Sequence, residues 1–120
     1  MSPDPVAGPL THLPVHPLSF QVLLVLLDGK RHGYGIAKTI EEKDAGLGRI
    51  YPTNLYRRLR DMVAAGLIVE NRAPDEDGNR KSMFAITKLG HQVAVEEARR
   101  LENVVVDARR YKLLTDRRGP

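Results

Sequence analysis

The stretch Ile50 to Gly66, IYPTNLYRRLRDMVAAG, constrains this chain more than any other. Leu55, Leu59, Met62 and Val63 recur at i, i+4, i+7 and i+8, so a helix gathers them on one side. Thr53, Arg57, Arg60 and Asp61 fall on the opposite side, flanked by Asn54, Tyr56 and Arg58. Pro52 suits the first turn, where its missing N–H has no partner to lose. Gly66 suits the stop. The apolar side can dock on a small core. The other side presents arginines and short hydrogen-bonding side chains near the helix start, the groups that meet phosphates and major-groove base edges. An amphipathic surface helix with solvated arginines has the same pattern, so the rest of the chain must decide.

At 120 residues the chain suits one domain, with any long extra element needing a second chain to cover it. Lys and Arg exceed Asp and Glu by only 19 to 15, so placement matters more than total. Arg49, Arg57, Arg58 and Arg60 cluster with no acid between Arg49 and Arg60, which makes the positive field local. Cysteine is absent, which excludes disulfides and thiolate metal sites and suits a reducing cytoplasm, the expected location. No apolar run approaches the roughly 18 residues of a membrane span, and no signal peptide is expected. Nor is there Ser–His–Asp spacing, a metal cluster or a phosphate loop; Gly33-Tyr34-Gly35 lacks the strand context of a nucleotide fingerprint. No catalytic residue, metal or cofactor is therefore expected.

Residues 1–17 hold five of the eight prolines and read as a flexible N-terminal arm, one able to reach a partner subunit. His12 and His16 are four apart, but Pro14 disfavours a helical metal pair. Leu18 to Asp28, LSFQVLLVLLD, is apolar on nearly every side and predicts a buried helix, part of it facing a second subunit. Gly29 to Gly33 reads as a turn, and Gly35 to about Ala45 as a second helix closed by Gly46-Leu47-Gly48. Arg49 to Tyr51 suggests a short strand before the basic helix. Two helices joined by a turn, the second bearing basic side chains, follow the helix-turn-helix plan.

Leu67 to Arg72 and Ser82 to Thr87 read as strands, with Pro74, Asp75, Gly78 and Asn79 turning between them. A hairpin directly after the basic helix makes a winged helix-turn-helix. Arg80 and Lys81 would then meet phosphates, provided that Asp75, Glu76 and Asp77 point away; an ordinary solvent-exposed hairpin remains the alternative. From Lys88 to about Leu114 comes a long helix with Thr87 as its N-cap. Ala94, Ala98, Leu101, Val105 and Ala108 alternate spacings of four and three, close to a 3.5-residue seam. Such a helix outruns so small a domain: dimerisation would cover the excess, the alternative being a solvent-exposed amphipathic helix folded back on its own domain. Leu18, Phe20 and the seam are the expected interface.

The segments HGYGIAKTI (His32 to Ile40), IYPTNLYRRL (Ile50 to Leu59), GLI (Gly66 to Ile68) and DEDGNRKSMFAITKLG (Asp75 to Gly90) together resemble the PadR family of transcriptional regulators. The likeness runs from about Leu18 to Leu114. It implies a dimeric winged-helix repressor that dimerises through its C-terminal helix, here a single one. It also implies that Tyr34 and Tyr56 lie near DNA. The chain departs from the family where Thr53-Asn54-Leu55-Tyr56 follows the proline, since the family usually has Gly-Thr-Leu-Tyr. The tryptophan on which some members stack planar drugs is missing, with Phe20 and Tyr111 as weak substitutes.

The expected fold is therefore mainly α with a small β-hairpin: a flexible arm (1–17), a winged helix-turn-helix (18–87), a dimerisation helix (88–114) and a frayed tail (115–120). The expected function is sequence-specific binding of a near-palindromic DNA operator by a homodimer. Thr53, Asn54, Arg57 and, at the edge, Arg58 would enter the major groove; Tyr34, Tyr56, Arg80 and Lys81 would hold phosphates. A small-molecule effector of unassigned identity is compatible with an apolar dimer seam. The competing reading is a winged-helix module that docks proteins and leaves DNA alone.

Overall fold

A computed structural model describes residues 8–43 and 48–114. Four helices, α1 (Pro17–Leu26), α2 (Gly33–Lys43), α3 (Pro52–Ala64) and α4 (Lys88–Arg110), surround a small antiparallel sheet. The sheet contains β1 (Arg31–His32), β2 (Ile68–Pro74) and β3 (Arg80–Ile86) in the order β1-β3-β2. The fold is the mainly α winged helix-turn-helix that the sequence predicts.

One apolar core joins all of these layers. Val22, Leu23, Val25 and Leu26 of α1 meet Ile36 and Ile40 of α2, and Leu55, Leu59 and Met62 of α3. Ile68, Phe84, Val93 and Ala94 close it from the sheet and α4. The inward stripe of α3 is thus the expected one, with Val63 half-buried at its edge. At the end of α3, Gly66 takes φ +78°, the Gly66 N–H donates to Val63 O, and the Leu67 N–H donates to Met62 O. This left-handed stop satisfies the last carbonyls and turns the chain into β2.

Thr87 caps α4 as predicted, its hydroxyl oxygen accepting the Gly90 N–H at 3.0 Å. The same hydroxyl lies 2.7 Å from Gly66 O, so the start of α4 is tied to the end of α3.

Several expectations need correcting. A third strand lies inside the expected Gly29 to Gly33 turn: Arg31 pairs with Phe84 and His32 with Met83. Two residues are too few for alternation to show in a sequence. Conversely, Arg49 to Tyr51 is not a strand. The Glu41 carboxylate accepts the Ile50 N–H at 2.5 Å, and Tyr51 O accepts from Asn54 and Leu55, so this stretch leads into α3. The hairpin strands run longer than expected, meeting at Pro74 and Arg80.

Residues 8–16 are not a free arm. Pro9–His12 form one 3-10 turn packed against α4, and Val15 is buried. Residues 1–7, the Gly46-Leu47 helix stop and the expected frayed tail at 115–120 lie outside the described residues. Helix α4 ends at Arg110, short of Leu114.

Candidate nucleic-acid interface

Burial of Leu55, Leu59 and Met62 fixes the rotation of α3, so its polar side faces solvent. Thr53, Asn54, Arg57 and Arg60 are exposed there, as is nearly half of Tyr56 (44%). Arg57 and Arg60 form no ion pair among the described residues. Arg58 is half-buried and bridges to Asp61 at 3.1 Å, which holds its guanidinium against the helix. The arginines thus divide into two free cations and one that is already partnered.

The wing is pinned beside this face by a chain of contacts. The rings of His32 and Tyr34 stack with centroids 5.5 Å apart and planes 7° apart. Lys81 Nζ sits 5.5 Å from the centroid of Tyr34, a cation–π distance. The ring of His32 reaches both strands of the hairpin, with Nδ1 2.9 Å from Ser82 O and Nε2 3.3 Å from Pro74 O. Tyr34 thereby links the start of α2 to the wing.

Of the three acidic residues in the hairpin turn, one is turned inward. Asp75 turns inward, its carboxylate accepting the Asp77 and Asn79 N–H groups at 2.9 Å each, with Lys81 Nζ 3.4 Å away. Desolvation raises its pKa, but the N–H groups of Asn79 and Asp77, with Lys81, outweigh this and hold it below its ordinary value. Glu76 and Asp77 remain exposed. Lys81 is therefore shared between Asp75 and Tyr34. Arg80 donates to Arg72 O at 3.0 Å, and Arg72 donates back to Arg80 O at 2.6 Å. Both guanidiniums lie across the neck of the hairpin, so Arg72 is an exposed cation that the sequence reading did not single out.

On α4 the expected seam divides. Ala94 is buried in its own domain's core, which corrects its assignment to an outward interface. Leu18 and Phe20 also pack partly on that core. Leu101 and Ala108 are half-buried and Ala98 and Val105 exposed, with Val104 and Val106 exposed beside them. On α4 the most exposed valines, Val104 and Val106, lie toward its C-terminal end.

Two side chains outside the expected set tie elements of the fold together. One is His32. The other is Glu97, only 1% exposed, whose carboxylate forms two 2.7 Å hydrogen bonds with Arg100. The Arg100 hydrogen bonds hold its pKa low against the opposing effect of burial, and the Val15 backbone adds to the lowering. Glu97 thus fastens residues preceding α1 onto α4. The sequence signal was an acid on the Ala94–Leu101 side of the helix with arginine three residues on.

A basic, exposed second helix, a hairpin wing and a buried opposite face define a DNA-binding winged helix-turn-helix protein. The sequence model described as "Transcriptional regulator PadR-like family" matches residues 22–96, more than half of the chain. The chain belongs to this family and is a transcriptional regulator rather than an enzyme.

Among solved structures, the fold is similar to a PadR family transcription regulator from hypervirulent Clostridium difficile R20291, at 16% identity and TM-score 0.72, covering 80% of this chain and 98% of that one. A transcriptional regulator from Clostridium thermocellum is similar at 23% identity and TM-score 0.70, covering 79% and 89%. Bacillus subtilis PadR, solved in complex with operator DNA, is similar at 21% identity and TM-score 0.61, covering 68% of this chain and 46% of that one. No curated protein matches the sequence significantly. Among the described residues, no helix is long and apolar enough to cross a membrane, and no group of three or more His, Cys, Asp or Glu side chains could hold a metal ion.

Proposed function

We propose that the chain is a cytoplasmic repressor that binds a near-palindromic operator as a symmetric homodimer and blocks transcription by occupying promoter DNA. The observation that carries this reading is the exposed pair Arg57 and Arg60, without ion-pair partners among the described residues, on a helix whose other face is locked in the core. Thr53, Asn54 and Arg57 enter the major groove, with Arg58 at its edge. Tyr34, Tyr56, Arg80 and Lys81 meet phosphates on either side. The B. subtilis PadR solved with operator DNA supports this use of a shared fold.

Residues 18–87 form the DNA-reading unit in this account. The helix of residues 88–110 makes the dimer, through Ala98, Leu101, Val105 and Ala108 with help from Leu18 and Phe20. Its 23 residues extend about 34 Å at 1.5 Å per residue. Val104, Val105 and Val106 are 51%, 39% and 50% exposed, and burying them supplies apolar area to a partner helix. Two recognition helices then meet half-sites about 34 Å apart. An apolar seam between the two long helices is where a small-molecule effector would bind.

Selection of binding sites from a random duplex library, followed by salt titration, tests the reading. The expected result is a two-fold-related consensus whose log affinity falls steeply with log salt. No retention on any duplex at low salt would favour a protein-docking module.

A further inference from the structure

A cavity of about 250 Å³ opens between the start of α1 and the exposed face of α3. Its walls are His16, Leu18, Asn54, Arg57 and Arg58, with no carboxylate among them. The Asp61 carboxylate bound to Arg58 is not part of the wall. The lining residues are therefore two arginines, an asparagine and a histidine around one apolar side chain, with the Arg58 guanidinium also 3.1 Å from the Asp61 carboxylate.

His16 is exposed and already oriented. Its Nδ1 accepts the Leu18 N–H at 3.0 Å, which caps α1. An accepting Nδ1 carries no proton, so the neutral ring carries its proton on Nε2. The cap thus turns the far edge of the ring into a hydrogen-bond donor. Asn54 and Arg57 belong to the face assigned above to the major groove, so a duplex docked there brings its flanking backbone to the mouth of the cavity. A phosphodiester has only acceptors to offer, and this wall is rich in donors.

We propose that the cavity seats one DNA backbone phosphate, held by His16 Nε2–H and the Arg58 guanidinium, while Asn54 and Arg57 continue toward base edges. This rests on the reading of α3 as the groove helix. It makes the residue before α1 part of the DNA interface and gives the folded arm a role: it holds His16 at the recognition helix.

The test uses the full chain, the duplex selected by the wild-type protein and an unrelated duplex. His16→Ser keeps a capping oxygen but removes the outward donor. It should bind both duplexes about fivefold more weakly, the worth of one hydrogen bond. Its salt dependence should match wild type, because no charge is lost. His16→Asp also caps α1 but sets an anion in the cavity, and should lose more than His16→Ser on both duplexes. Thermal melting confirms that each variant is folded.

Wild-type affinity in both variants, with Arg57→Ala still weakened, overturns the phosphate site and leaves the DNA reading intact. A loss confined to the selected duplex overturns it in favour of a base contact. Movement of the His16 ring resonances with inorganic phosphate alone, but not with DNA, would make the cavity a free-anion site instead. Failure of the wild type to bind either duplex removes the DNA reading itself.

Discussion

The phenol of Tyr56 lies so close over Gly33 that a Cβ there would stand 2.5 Å from its hydroxyl oxygen and 2.9 Å from its Cζ. A ring on α3 thereby rests on the start of α2, and the missing side chain sets the distance between the two helices. Gly33→Ala should destabilise the fold by about 1–3 kcal/mol, as overpacking does. In a Tyr56→Ala background the same change should cost close to nothing. Urea denaturation of the four proteins gives the coupling. Additive costs would show that the ring is not what fills the space.

Arg57 is exposed and free of ion pairs among the described residues, so its removal leaves no stranded carboxylate. Arg57→Ala should leave melting unchanged and weaken operator binding by about 1–3 kcal/mol if it reads a base. Fluorescence anisotropy against the selected duplex measures this. Unchanged affinity would strike Arg57 from the contact set.

Thr87 both caps α4 and reaches back to Gly66 O. Thr87→Ala removes both links and should cost about 1–2 kcal/mol. Thr87→Ser keeps the hydroxyl and should recover most of that loss in chemical denaturation. Equal losses in the two variants would assign the effect to the methyl group.

Glu97 has a depressed folded-state pKa, with the Arg100 hydrogen bonds as the leading cause. A depressed carboxylate stabilises the fold above its unfolded pKa of about 4.3 and loses that contribution as pH falls through its lower folded value. Wild-type stability should therefore decline below about pH 4. Glu97→Gln should be less stable at neutral pH and lose less on acidification. Parallel pH profiles for the two proteins would show that Glu97 does not couple folding to protons.

The long periodic segments were legible because each states its own environment. Leu55, Leu59 and Met62 announced both the helix and its buried side, and Thr87 and Gly66 announced its neighbour's start and its own stop. What was not legible depends on partners far along the chain. His32 acquires its place only when β3 arrives from residues 80–86, since a two-residue strand has no pattern of its own. The proline-rich arm looked free because proline content reports the absence of regular structure, not the absence of packing. Val15 and Glu97 meet across more than 80 residues. Spacing alone cannot tell whether a helix's apolar side faces its own core or a partner, so Ala94 reads as a seam residue although it is buried in its own domain.

In the function proposed here, two copies of this chain present paired α3 helices to one duplex. Multi-angle light scattering of the protein, alone and with the selected duplex, counts the chains in each state. A dimer at micromolar concentration and two chains per duplex in the complex are expected. A folded single chain that stays single and leaves the duplex unbound would contradict it.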